Sequence, residues 1–233
     1  HWRTWGTPIA DFVIKDGSNR ISKLKDQSGN SNHWIQATGN NQPLWSDDAG
    51  DQINKHAVAK FTIDEYMICD AIATLLSGND KPFSLFVVIE KAANDANHFI
   101  FGVANSGYNS PRHDILTTAD PKYRVFRRPT TGTQADLSAG TPDLNPHYIS
   151  LVFTGTKLGL WEDGVELIAP DTAYDVDDMS VDVATIGALR NSVNPTGINF
   201  YEGDMIEFAI CNKALSDARR QAFEAYAASQ YEI

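Results

Sequence analysis

Between Gly203 and Ile233 the hydrophobic period changes once, and that change limits what the whole chain can become. Over Met205–Cys211 the residues alternate, so Ile206, Phe208 and Ile210 are predicted to share one apolar face, with Met205, Glu207, Ala209 and Cys211 on the other. At Leu215-Ser216-Asp217 the alternation stops. Ser216 is a good N-cap, because a serine hydroxyl accepts from the free N–H groups of a first helical turn, and Asp217 suits the positive end of the helix dipole. Beyond it Phe223, Tyr226 and Ala227 recur at helical spacing among Arg219, Arg220, Gln221 and Glu224. The chain is expected to close with a core strand running straight into a short amphipathic helix on the sandwich rim.

The middle of the chain is a series of short strand-like runs with turn chemistry between them. Phe83–Glu90, Asn97–Ala104, Ile115–Thr118, Tyr123–Arg128, Tyr148–Thr154, Lys157–Glu162, Val165–Ile168 and Val183–Ala188 read as strands. The clearest hairpin is Lys157–Ile168, where Asp163-Gly164 supplies the positive φ values of a tight I′ turn. Besides the closing segment, only Ile72–Leu76 reads as helix. Strands in this number, with helix at one end, predict an all-β, two-sheet antiparallel sandwich over residues 1–233 as a single domain. A chain of 233 residues buries a sizeable core without staples, so Cys69 and Cys211, both in apolar runs, are expected to be buried free thiols. The net charge of −11 disfavours nucleic acid, which needs a basic face. No apolar run approaches the roughly 18–20 residues of a membrane helix. His1-Trp2-Arg3 is a polar start, as expected of a mature product or a piece of a longer chain.

The tail, with Ile206, Glu207, Leu215, Ser216, Asp217 and Ala218 in place, resembles the end of a LamG-like, concanavalin A-type jelly-roll domain of the bacterial and phage kind. Near the other end, Asp26-Gln27-Ser28-Gly29-Asn30 resembles that family's "W-x-D-x-S-G-x-x-N" signature, with Leu24 where tryptophan is usual. Gln42-Pro43-Leu44 and Ala57–Phe61 are similar to its next two landmarks. The resemblance implies a jelly roll with a lectin-like, non-catalytic role. Its partner would be a glycan or cell-surface polysaccharide, and its place a module beside other domains of an extracellular, cell-surface or phage-tail protein. It also implies an optional structural Ca²⁺.

Three chemistries make different demands on side chains. A retaining glycosidase needs two carboxylates about 5–5.5 Å apart in a groove. The nearest match, Glu162-Asp163 with Glu166, falls on the Asp163-Gly164 turn and is expected at a solvated tip, which argues against hydrolysis. A polysaccharide lyase, the enzymatic alternative, needs a tyrosine or histidine base beside a cation. Binding needs less: a ring for the C–H face of a sugar and planar polar groups for its hydroxyls. In Tyr123–Arg128, residues Tyr123, Val125 and Arg127 share one face, and Arg124, Phe126 and Arg128 share the other, so each face offers a ring beside guanidinium. With Tyr108, Arg112 and His113 from the preceding Gly/Ser/Pro-punctuated loop, this gives a candidate glycan site of Tyr108, Arg112, His113, Tyr123, Arg124 and Arg127. For Ca²⁺, which takes oxygen ligands, the densest acidic run offers Asp175, Asp177 and Asp178, and Asp26 with Asn30 and Asn32 forms a second oxygen-rich loop. A third role is structural: a protein-binding spacer of a fibre.

Overall fold

The computed structural model describes residues 12–93, 96–108, 110–129, 133–174, 179–191 and 196–233. In chain order the elements are β1 (Val13–Lys15), β2 (Ile21–Leu24), β3 (Trp34–Ile35), β4 (Leu44–Ser46), β5 (Val58–Phe61), β6 (Met67–Ile68) and α1 (Asp70–Leu76). They continue as β7 (Phe83–Lys91), β8 (His98–Ala104), β9 (Arg112–Thr117), β10 (Tyr123–Arg128), β11 (Ala135–Ala139) and β12 (Pro146–Phe153). The chain ends with β13 (Lys157–Glu162), β14 (Val165–Ala173), β15 (Val183–Ile186), β16 (Gly203–Cys211) and α2 (Asp217–Tyr231).

Among the described residues these strands form two sheets. One has nine strands in the order β1-β2-β3-β6-β15-β8-β9-β10-β11, and the other has seven, β14-β13-β12-β7-β16-β5-β4. All the strand pairings are antiparallel. The core between the sheets takes Leu85, Val87 and Ile89 from the centre of one sheet and Phe101, Val103 and Ile115 from the other. A two-sheet antiparallel sandwich closed by a helix is the architecture that the sequence predicts.

Three local expectations are corrected. The closing strand does not keep one clean apolar face. A bulge between Met205 and Glu207 shifts the register against β7, as an unpaired extra residue does. Met205 and Phe208 therefore join the core between the sheets, while Ile206 turns outward to Val88, Tyr148, Ala227 and Tyr231. Ser216 is the N-cap residue of α2, yet its side chain makes no capping bond. The helix itself lies across the outside of the seven-stranded sheet and not on the rim. Its Phe223 ring packs 4.2 Å from Phe86, and the Arg220 guanidinium sits 3.9 Å from the Trp161 ring while Glu224 accepts from it at 2.6 Å. The last carbonyls of α2 are tied down by Asn54 and by His56, whose Nε2 is 2.9 Å from Gln230 O.

The Asp163-Gly164 turn has φ values of 49° and 77°, the conformation of a I′ hairpin. Of its acids only Glu166 is exposed at the tip, and the other two are partly buried and bonded. Glu162 accepts from the Tyr123 hydroxyl at 2.5 Å, linking the two sheets, and Asp163 accepts from His147 Nδ1 at 2.6 Å. Both cysteines are free, with Cys69 buried and Cys211 partly so.

Candidate functional site

Among the described residues α2 covers the outer face of the seven-stranded sheet, which leaves the outer face of the nine-stranded sheet as the broad one open to a partner. Its character is set by β8–β11. Strand β9 begins at Arg112, three residues earlier than the sequence suggests, because Arg112 and His113 pair with Arg128 and Arg127 of β10 and with Ala104 and Val103 of β8. Arg112 and His113 are thus strand residues on opposite faces, not loop residues on one surface.

Register then sorts the six candidates. Asp114 pairs with Phe126, and Phe126 with Asp136, so these three share the outer face with Arg112, Arg124 and Arg128. The Phe126 ring is buried beneath two cations: the Arg112 guanidinium lies 4.6 Å from the ring centroid and that of Arg124 5.0 Å. Cation–π attraction of this kind is worth about 0.5–1 kcal/mol at an exposed site. Arg124 also makes a bidentate pair with Asp136, at 2.8 and 2.6 Å, which raises its pKa further. The ring therefore supports the guanidinium groups and is not itself a platform for sugar. Tyr108 is 69% exposed in the loop between β8 and β9, next to the start of the strand that carries Arg112.

The other three candidates face the core. His113 is buried against the rings of Phe83, Phe153 and Tyr174, and burial, with the Arg127 charge, holds its imidazole well below the ordinary pKa. Arg127 lies 4.7 Å from the Phe153 ring centroid and 3.3 Å from Asp80. Tyr123 is fully buried, and burial together with Glu162 raises its phenol pKa. The structure thus brings together Arg112 and Arg124, sets Tyr108 beside them along the chain, and separates off His113, Tyr123 and Arg127.

The sequence reading missed Asp114 as part of this face. Its carboxyl is buried, 3.2 Å from Arg112 Nε, and neither oxygen has a hydrogen-bond partner among the described residues. Gly102, opposite it on β8, makes the room, since a Cβ there would stand 2.9 Å from Asp114 Oδ1. Burial pushes the Asp114 pKa up to about 7, against the pull of Arg112 and Arg124. What such a face can do is hold an anion or a set of hydroxyls with fixed guanidinium donors. Asp175, Asp177 and Asp178 lie outside the described residues. Among the described residues no group of three or more histidine, cysteine or acidic side chains is placed to hold a metal ion. In the other oxygen-rich loop, Asp26 is already occupied with Ser28 and Asn32.

The chain matches no family model and no curated protein. Solved structures do match its fold. A CBM40 module of a Ruminococcus gnavus IT-sialidase, bound to α2,3-sialyllactose, superposes with a TM-score of 0.55 at 14% identity, over 65% of this chain and 85% of that one. The NanB sialidase of Streptococcus pneumoniae matches with a TM-score of 0.55 at 18% identity, over 70% of this chain but only 26% of the sialidase. A pentraxin of Limulus polyphemus matches with a TM-score of 0.50 at 11% identity, over 64% of this chain and 71% of that one. At such identities the likeness shows the fold alone: a two-sheet antiparallel jelly-roll sandwich.

Proposed function

We propose that this chain is a LamG-like, non-catalytic carbohydrate-binding module that holds a carboxylate-bearing glycan on the outer face of its nine-stranded sheet. The observation that carries the proposal is the Arg112–Phe126–Arg124 stack: two guanidinium groups fixed over one buried ring and partly open to solvent, at 21% and 32% of their side-chain area. Fixed guanidinium groups suit charge-assisted recognition of a carboxylate, because little rotamer freedom remains to be lost on binding. With Arg124 Nε and Nη2 turned to Asp136, the donors offered are the remaining N–H groups of Arg124 and Arg112. Support comes also from the neighbour that holds sialyllactose on the same kind of fold. Tyr108 would contribute an exposed ring at one end of the patch. We place the module in a longer extracellular, cell-surface or virion protein, in keeping with the resemblance at both ends of the chain. No described helix is long and apolar enough to cross a membrane.

A glycan array carrying acidic and neutral sugars, followed by titration of the best ligand, tests this. Arg124→Ala is expected to weaken binding of an acidic glycan about tenfold or more, since a charge-assisted hydrogen bond contributes roughly 1.5–3 kcal/mol. Equal affinity of the variant and the wild type would remove the site from this face. Absorbance from unsaturated uronate on acidic polysaccharides would replace the binding role by lyase chemistry. A blank array from a stable oligomer would favour a structural role in a fibre.

A further inference from the structure

The sandwich has a second concave feature, away from the arginine stack. A cavity of about 590 Å³ opens between the β2–β3 loop, α1 and the end of β16. That volume falls within the range of small-molecule sites. Its floor is apolar, made by Trp34, Ile72, Leu76, Phe208 and Ile210. Its rim is polar on two sides, with Ser28, Asn30 and Asn32 on the loop and Asn212 and Lys213 just past the strand.

The loop side is held in shape by Asp26. Its carboxylate accepts from the backbone N–H of Ser28 at 2.8 Å, from the Ser28 hydroxyl at 2.7 Å and from the backbone N–H of Asn32 at 2.9 Å. Burial works against its charge, but the bonds from Ser28 and Asn32 outweigh it and keep the carboxyl below its ordinary pKa. Asp26 is thus a fixed negative charge whose oxygens are already engaged. Asn30 Nδ2 donates to Ser28 Oγ at 2.9 Å. The side chains of Asn32, Asn212 and Lys213 carry no hydrogen bond to other described residues.

An apolar floor below a ring of amide donors and acceptors matches one ligand shape closely. A pyranose has a C–H face that sits on apolar and aromatic surface, and equatorial hydroxyls that each donate and accept, as amides do. Charge selects further. Its lining carries one carboxylate, Asp26, and one ammonium, Lys213, so the lining side chains sum to no net charge and do not favour an anion, in contrast to the arginine stack. We propose that this cavity is a second saccharide site, one that takes a neutral hexopyranose. It does not depend on the outer-face reading and can survive that reading's failure.

The test is residue-resolved NMR of the ¹⁵N-labelled chain with a panel of neutral methyl hexopyranosides at millimolar concentration. At least one sugar is expected to shift the side-chain amide signals of Asn32 and Asn212. Ala71→Trp should abolish those shifts, because Ala71 is exposed on α1 and lines the cavity, so a large ring there fills the space without removing a core group. Asn32→Ala with Asn212→Ala, a second variant that leaves the apolar floor intact, should weaken the same sugar at least tenfold. Arg124→Ala should leave it unchanged. If no neutral sugar moves the Asn32 and Asn212 signals, or if the shifts appear around Arg124 and Phe126 instead, the cavity is not a saccharide site.

Discussion

Asp114 is the residue whose physics depends most on its neighbours. Its ordinary pKa is 3.8, and in the fold burial carries it to about 7. Because the folded value lies above the unfolded one, this group favours folding fully only below about pH 4, and that contribution is lost as pH rises through 7. Each pKa unit corresponds to about 1.4 kcal/mol, so the carboxylate costs on the order of a few kcal/mol of stability at alkaline pH. Asp114→Asn keeps the shape and cannot ionise. Its denaturation midpoint is expected to fall less than that of the wild type between pH 5 and pH 8, in urea melts at both pH values. Parallel pH profiles would mean that Asp114 ionises without penalty. None of this was legible in the chain, where Asp114 is one acid in a basic stretch. Its burial depends on Gly102, twelve positions earlier, leaving room for it. For the same reason Arg124 and Arg127 look alike on paper. Alternation puts them on opposite faces, but both faces carry a ring and a cation. Only partners distant in the chain, Asp80 and Phe153 for Arg127 and Asp136 for Arg124, decide which turns inward.

At the scale of elements, the sequence reading of strands and of the closing helix holds, because alternation and turn chemistry are local signals. It fails where a long-range pairing overrides them. The bulge in β16 sends Ile206 to the helix side, and the pairing of β9 with β8 and β10 lengthens that strand to Arg112. The β13–β14 hairpin shows how such pairings are anchored. His147 on β12 reaches Asp163 at 2.6 Å and Asp143 at 2.9 Å, and the Asp163 bond, with help from Asp143 and Glu162, lifts its pKa to about 9. A histidine with a raised folded pKa stabilises fully below its ordinary value of 6.5, and the effect disappears as pH passes 9. After discounting for partial exposure, the clamp contributes roughly 1–2 kcal/mol. His147→Ala should therefore lower the melting temperature at pH 6 by several degrees and leave it nearly unchanged at pH 10. An equal loss at both pH values would assign the effect to packing, not to the charged clamp.

At the scale of the whole molecule, the proposed outer-face site sets a local cationic patch inside a chain with a net charge of −11. These two fields act over different ranges. Repulsion of an acidic glycan by the whole protein is felt across tens of ångströms, and salt screens it beyond about 8 Å at physiological ionic strength. Contact between Arg124 or Arg112 and a carboxylate acts over hydrogen-bond distance and is screened far less. Salt should thus remove more of the repulsion than of the attraction. Affinity for an acidic glycan is expected to hold steady or increase when ionic strength is raised from about 10 mM to about 150 mM, as measured by calorimetry. A lectin that draws its ligand to a broadly basic surface does the opposite, losing affinity steeply over that interval. A steep loss here would mean that attraction comes from more than the stacked pair, and that the small patch between β9 and β11 is not where the glycan is held.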